Sequence, residues 1–136
     1  MTPRADRRDG QSLVELALAL PILLLLMLGT VDLGRMFFDY IDLRNAAREG
    51  AGYGAHFPAD TAGITTRVTR HGIPGGTIVT ISCTDCATSG GVATGSGTIK
   101  VTATHTFTPI ASGFLSAFFG IGSVSLSASA SMRVLN

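Results

Sequence analysis

From Leu13 to Val31 the chain reads LVELALALPILLLLMLGTV, nineteen residues in which Glu15 and Thr30 are the only polar side chains. At about 1.5 Å of rise per residue, a helix of this stretch is about 28 Å long and just crosses a hydrocarbon core roughly 30 Å thick. The run predicts a transmembrane helix, and Pro21 inside it is tolerated because neighbouring groups in a membrane satisfy the carbonyl it frees. Arg4, Arg7 and Arg8 precede the run, whereas Asp32, Arg35, Asp39 and Asp42 mix both signs beyond it. The positive-inside bias therefore predicts a single-pass protein of the cell membrane, with the N-terminus cytoplasmic and the C-terminal part extracytoplasmic. A cleaved secretory signal fits poorly, since its apolar core is shorter and a small-x-small site follows it, which the sequence after Thr30 lacks. An uncleaved signal anchor remains the alternative.

Glu15 is an ionisable group inside the apolar run and is a functional candidate for that reason alone. Gly10 stands at the border between the polar leader MTPRADRRDG and the apolar helix, with Glu15 the fifth residue after it. The segment Gly10-Gln11-Ser12-Leu13-Val14-Glu15 resembles the cleavage site of type IV pilin precursors. The continuation VELALALPILLLLMLGTVDLGRMF, followed by LRNAAREGA, is similar to the TadE-like pseudopilins and minor pilins of the tight-adherence (Tad, or Flp) type IV pilus system. The likeness is close over about the first fifty residues and looser in the Thr/Ser-rich tail. It implies that a membrane-embedded leader (prepilin) peptidase cuts between Gly10 and Gln11, and that Glu15 serves assembly by pairing with the freed amine of a neighbouring subunit. It also implies partners: the peptidase, the platform proteins of the pilus machine and other pilin-like subunits. Filament subunit, tip or priming subunit and membrane-retained accessory all satisfy the composition, and the family favours the minor roles.

Beyond the membrane the helix is expected to continue as a stalk, because Leu33, Met36, Phe37, Tyr40, Ile41 and Ala47 recur at helical spacing while Asp32, Arg35, Asp39, Asp42 and Glu49 fall opposite. Projected at 100° per residue, Arg44 and Arg48 share the side of Phe37 and Ile41. That basic end of the apolar stripe reads either as an inter-subunit contact or as two arginine stems lying along apolar surface with their heads in water. Gly50, Gly52 and Gly54, with Pro58 close behind, predict the helix stop. Asp60 is placed to cap a short helix through Ile64 and Val68 to Gly72, with a strand as the competing reading.

Three strands follow in the sequence pattern. Thr77–Ser82 is the first. In Thr98–Phe107 the residues Ile99, Val101, Ala103, His105 and Phe107 alternate with polar neighbours, and Ser123–Val134 alternates in the same way. Such alternation predicts antiparallel pairing with one buried face, and the stalk is the amphipathic helix available to cover it. Between the last two strands Ile110, Phe114, Leu115, Phe118, Phe119 and Ile121 form an apolar cluster, read as a short helix closing the sheet or as a docking patch for a neighbouring subunit or the outer leaflet. The expected class is α+β and pilin-like: a leader over residues 1–10, a membrane helix over 11–31, a stalk over 32–54 and a small β-rich domain over 55–136.

Charged residues make up 14% of the chain, the net charge is +1 and the lone lysine is Lys100, so nothing here forms a basic field for nucleic acid. Cys83 and Cys86 lie at a strand end in an oxidising compartment and predict a local disulfide, contributing about 2 kcal/mol on a chain-entropy estimate. A zinc site is the weaker alternative, since it would need ligands from His56, His71 and His105, none at paired spacing. Asp60 and Asp85 are the only side-chain carboxylates after Gly54, and neither G-x-S-x-G nor H-E-x-x-H occurs. His105 reads as a core histidine. The expectation is therefore a non-enzyme, without cofactor or small-molecule substrate. An uncleaved, membrane-anchored extracytoplasmic binding module is the alternative to the pilus subunit.

Overall fold

The computed structural model describes residues 8–73, 76–86, 88–89, 92–93, 97–120 and 122–135. The expected leader thus lies mostly outside the described residues. Helix α1 (Arg8–His56) is continuous through Pro21 and is followed by α2 (Thr61–Thr69), β1 (Ile78–Thr84), the short strands β2 (Thr88–Ser89) and β3 (Val92–Ala93), β4 (Thr98–Phe107), α3 (Ser112–Phe119) and β5 (Val124–Arg133). The α+β expectation holds: one long apolar helix packs by its outer half against a three-stranded antiparallel sheet of order β1-β4-β5.

Strand β4 is central, and its alternation decides which face is dry. Ile99, Val101, Ala103, His105 and Phe107 are buried, while the threonines and Lys100 between them are not. β4 pairs with β1 from Thr98↔Thr84 to Thr104↔Ile78 and with β5 from Thr98↔Arg133 to Phe107↔Val124. It runs back along α1 toward the membrane half. Ile99 faces Gly54 near the helix end, and Phe107 lies under the Arg35 guanidinium, 5.3 Å from ring centroid to Cζ.

The helix face that meets the sheet is not the face the sequence pattern selected. Leu33, Phe37, Tyr40 and Ile41 are exposed, whereas Asp32, Leu43, Ala46, Ala47, Ala51 and Ala55 are buried, with Met36 half-buried and Gly50 and Gly54 on the same side. Large residues along the whole face would hold the helix off the sheet; alanine and glycine let backbone approach side chain, and apart from Leu43 the volume comes from Ile64, Val68, Ile99 and Val101. A Cβ on Gly50 would run into Val68 Cγ2 and lie 3.3 Å from Val101 Cγ1, and one on Gly54 would lie 2.6 Å from Ile99 Cδ1. These glycines are packing notches and not the expected stop signal. The helix ends at His56 because Phe57 precedes Pro58, and a residue before proline is disfavoured in the α region.

Helix α2 forms as expected, with Asp60 accepting the Gly63 amide at 2.8 Å and Ile64 and Val68 buried against α1. His105 is buried and its Nδ1 lies 3.0 Å from the Gly76 carbonyl, as a satisfied core histidine should. The apolar cluster after β4 does contain a short helix, α3, ended by Gly120 at φ 69°.

Candidate functional site

Along α1 the apolar side chains from Leu13 to Val31 are almost all exposed, Leu18 at 70% and Met27 at 67%, with Leu25 half-buried toward the α3 side. The helix is long and apolar enough to cross a membrane, with mean hydropathy 2.4 over its most apolar stretch, none of it buried within the subunit. Gly10, Gln11 and Glu15 lie on its exposed first turns. A side chain at Gly10 would meet nothing within 4 Å, so the fold does not require glycine there. Glu15 has neither hydrogen bond nor ion pair among the described residues and is exposed.

Arg44 and Arg48 are exposed one turn apart on the flank that carries Phe37 and Ile41, as the projection indicates, and neither has an ion-pair partner among the described residues. They lie some thirty residues from Glu15, about 45 Å along the helix axis. The structure therefore does not bring the site residues together. It distributes them along one continuous rod. Cys83 and Cys86 are placed apart from both groups, at the end of β1, at disulfide distance with Cα atoms 5.7 Å apart. The turn between them holds Asp85 at φ 58°, and Gly97 approaches it so closely that a Cβ would lie 2.7 Å from the Thr84 carbonyl oxygen.

Two polar clusters outside the expected set tie the elements together. Asp32 is 8% exposed, and its carboxylate accepts the Ile110 amide at 3.0 Å, the Ala111 amide at 3.4 Å and Arg35 Nη1 at 3.2 Å. The sequence pattern put Asp32 on the wet face. The signal that could have found it was its position seven residues before Asp39 and eleven before Leu43, on the side of Ala46 and Gly50. The second cluster clamps α2 to α1. Tyr53 donates to Asp60 at 2.8 Å, Arg67 stacks 5.1 Å over the Tyr53 ring, and Glu49 holds Arg67 at 3.7 Å and His71 at 2.9 Å. The Gly63 amide and, after it, the Tyr53 hydroxyl hold the Asp60 carboxyl below the usual carboxylate range; the bond to Asp60 is the main reason Tyr53 stays above the usual phenol range.

An exposed apolar helix of this length, with Glu15 unpaired among the described residues and a small antiparallel sheet on its outer half, defines an α+β protein with one helix fit to cross a membrane. Within that class, residues 10–52 match the family model described as TadE-like protein, so the long helix is similar to that family over this stretch, in agreement with the resemblance in its sequence. The match ends between the notch glycines Gly50 and Gly54 and leaves the sheet outside it. No curated protein and no solved structure matches the chain.

Proposed function

We propose that this chain is a pseudopilin or minor pilin that takes part in assembling a Tad (Flp) type IV pilus used for surface adherence or secretion, and that its chemistry is assembly and not catalysis. The observation that carries the reading is that α1 is left incomplete by its own subunit. Nearly all of its membrane half and one flank of its outer half, from Leu33 through Phe37 and Ile41 to Arg48, are exposed. Lipid covers the membrane half in a free subunit, and neighbouring α1 helices cover it in a bundle.

On this reading the N-terminus is cytoplasmic, the leader peptidase cuts after Gly10, and the new amine of Gln11 is the cation that Glu15 of a neighbouring subunit accepts. An unpaired carboxylate in a bilayer costs up to about 3 kcal/mol at mid-helix and less near the interface, so pairing favours one longitudinal register over others. Free space around Gly10 supports the processing role, since the requirement for glycine then comes from outside the fold.

Intact-mass measurement of the protein from its native host tests the proposal. The expected chain begins at Gln11, Gly10→Ala retains the leader, and Glu15→Ala is cut and inserted but supports few pili. A retained leader in the wild type favours the membrane-anchored binding module, and normal piliation by Glu15→Ala rules out the register role.

A further inference from the structure

We infer that α3 lies within the outer leaflet, so that lipid acyl chains cover it and fill the cleft between it and α1, and the sheet domain is held down on the membrane at a second point. The inference rests on the reading of α1 as a membrane span and goes beyond it. Depth carries the argument. An apolar cleft of about 340 Å³ separates the two helices, lined on one side by Leu25, Gly29 and Leu33 and on the other by Phe114 and Leu115. Leu25 lies six residues inside the end of the apolar run at Val31, which is about 9 Å along the axis. The cleft that α3 lines runs from Asp32, which holds the start of the α3 segment, to Leu25, so it reaches inside the hydrocarbon wherever Leu13–Val31 spans it, to the depth typical of interfacial helices.

The chemistry of the segment agrees with that depth. From Pro109 to Gly122 there is no charged residue, and Ile110 is 56% and Phe114 41% exposed. A chain entering a medium without water has to satisfy its backbone donors internally. Here the amides of Ile110 and Ala111 are taken by the Asp32 carboxylate, that of Ser112 by the Pro109 carbonyl, and the Ser116 hydroxyl donates to the Gly113 carbonyl. A loop in water would have no need of a buried carboxylate from a helix 78 residues away in sequence. Asp32 in turn is the only polar residue lining the cleft among the described residues, and its oxygens are already engaged, so that lining offers an occupant nothing but apolar contact. A second copy of the chain is the competing occupant, and it differs from lipid in being absent at high dilution in a bilayer.

The chain contains no tryptophan, so single substitutions are unambiguous reporters. Phe114→Trp, Leu20→Trp and Phe57→Trp, each in the full chain, are reconstituted at high lipid-to-protein ratio in phosphatidylcholine vesicles brominated at different acyl-chain depths. The expected result is that Leu20→Trp is quenched most by deep bromines, Phe114→Trp is blue-shifted and loses most of its emission to shallow bromines, and Phe57→Trp is unaffected. Quenching of Leu20→Trp with Phe114→Trp emitting like Phe57→Trp overturns the inference and leaves the membrane span standing. A blue-shifted Phe114→Trp that no brominated lipid quenches also overturns it, in favour of a protein occupant. Absence of quenching at Leu20→Trp removes the span itself, and the inference with it.

Discussion

Asp32 joins the membrane helix to the far end of the sheet through a single carboxylate, and its value follows from what its loss would leave behind. With Asp32→Ala two amides at the start of the α3 segment lose their acceptor, and a buried donor without a partner costs about 1–3 kcal/mol. Amide hydrogen exchange at Ile110 and Ala111 is expected to accelerate in this variant, with Asp32→Asn intermediate because one carbonyl oxygen remains; unchanged exchange at both positions would show that water or lipid headgroups replace the carboxylate without loss. The Asp60–Tyr53 pair makes a pH-dependent contribution of known sign. The carboxyl of Asp60 is lowered in the fold, so what it adds is present above its unfolded value and is lost as pH falls through the folded one. The Tyr53 hydroxyl is raised, so what it adds is present below its unfolded value and is lost as pH rises through the folded one. Docking of α2 should thus be level between the two ranges and weaken at both ends, and melting followed against pH should show the acid-side fall reduced in Asp60→Asn.

At the scale of elements, the contact between α1 and the sheet is set by two glycines whose surroundings differ in stiffness. Alanine in place of glycine within a helix contributes about 1 kcal/mol from propensity, against about 1–3 kcal/mol for overpacking. Gly50→Ala meets Val68, a β-branched side chain with little rotamer freedom, and Val101 behind it, so the packing cost should win and the melting temperature fall. Gly54→Ala meets the far ends of Ile99 and Ile64, which can rotate away, and should be near neutral; Gly34→Ala meets nothing and should stabilise the isolated subunit. Thermal melting of the full chain in detergent micelles checks the order Gly34→Ala above Gly54→Ala above Gly50→Ala. The same contact shows where the sequence was readable. Strict alternation in Thr98–Phe107 and Ser123–Val134 predicted antiparallel pairing and one dry face; the pairing is found and β4 has its dry face, whereas in β5 Ala128 is buried but Val124 and Met132 at the ends stay exposed. In the stalk, bulk was taken as the sign of a buried face, and there the criterion failed: apart from Leu43 the face that meets the sheet is alanine and glycine, while Phe37 and Ile41 are kept outside. Asp32 was illegible for a related reason, because its partners are backbone amides and backbone donors carry no sequence signature.

For the molecule as a whole, most of the exposed large residues lie on α1, and one strip of them continues from the membrane half through Leu33, Phe37 and Ile41 to Arg44 and Arg48. The two arginines separate an assembly role from a merely solvated one. Neither has an ion pair among the described residues, and a surface substitution away from caps, cavities and buried partners usually changes stability by no more than about 0.5 kcal/mol. Arg44→Ala with Arg48→Ala should therefore leave the melting temperature of the subunit almost unchanged. In a bundle the same side chains would be enclosed by a neighbour, where an arginine at the centre of a contact can be worth about 2 kcal/mol or more, a loss of at least tenfold in association. The double variant is expected to be inserted and to melt like the wild type, yet to yield few pili, and an acidic residue in place of either arginine should do worse by opposing whatever acidic or carbonyl groups they meet. Normal piliation by the double alanine variant would assign both side chains to water, and a lowered melting temperature would assign their stems to the packing of the subunit itself.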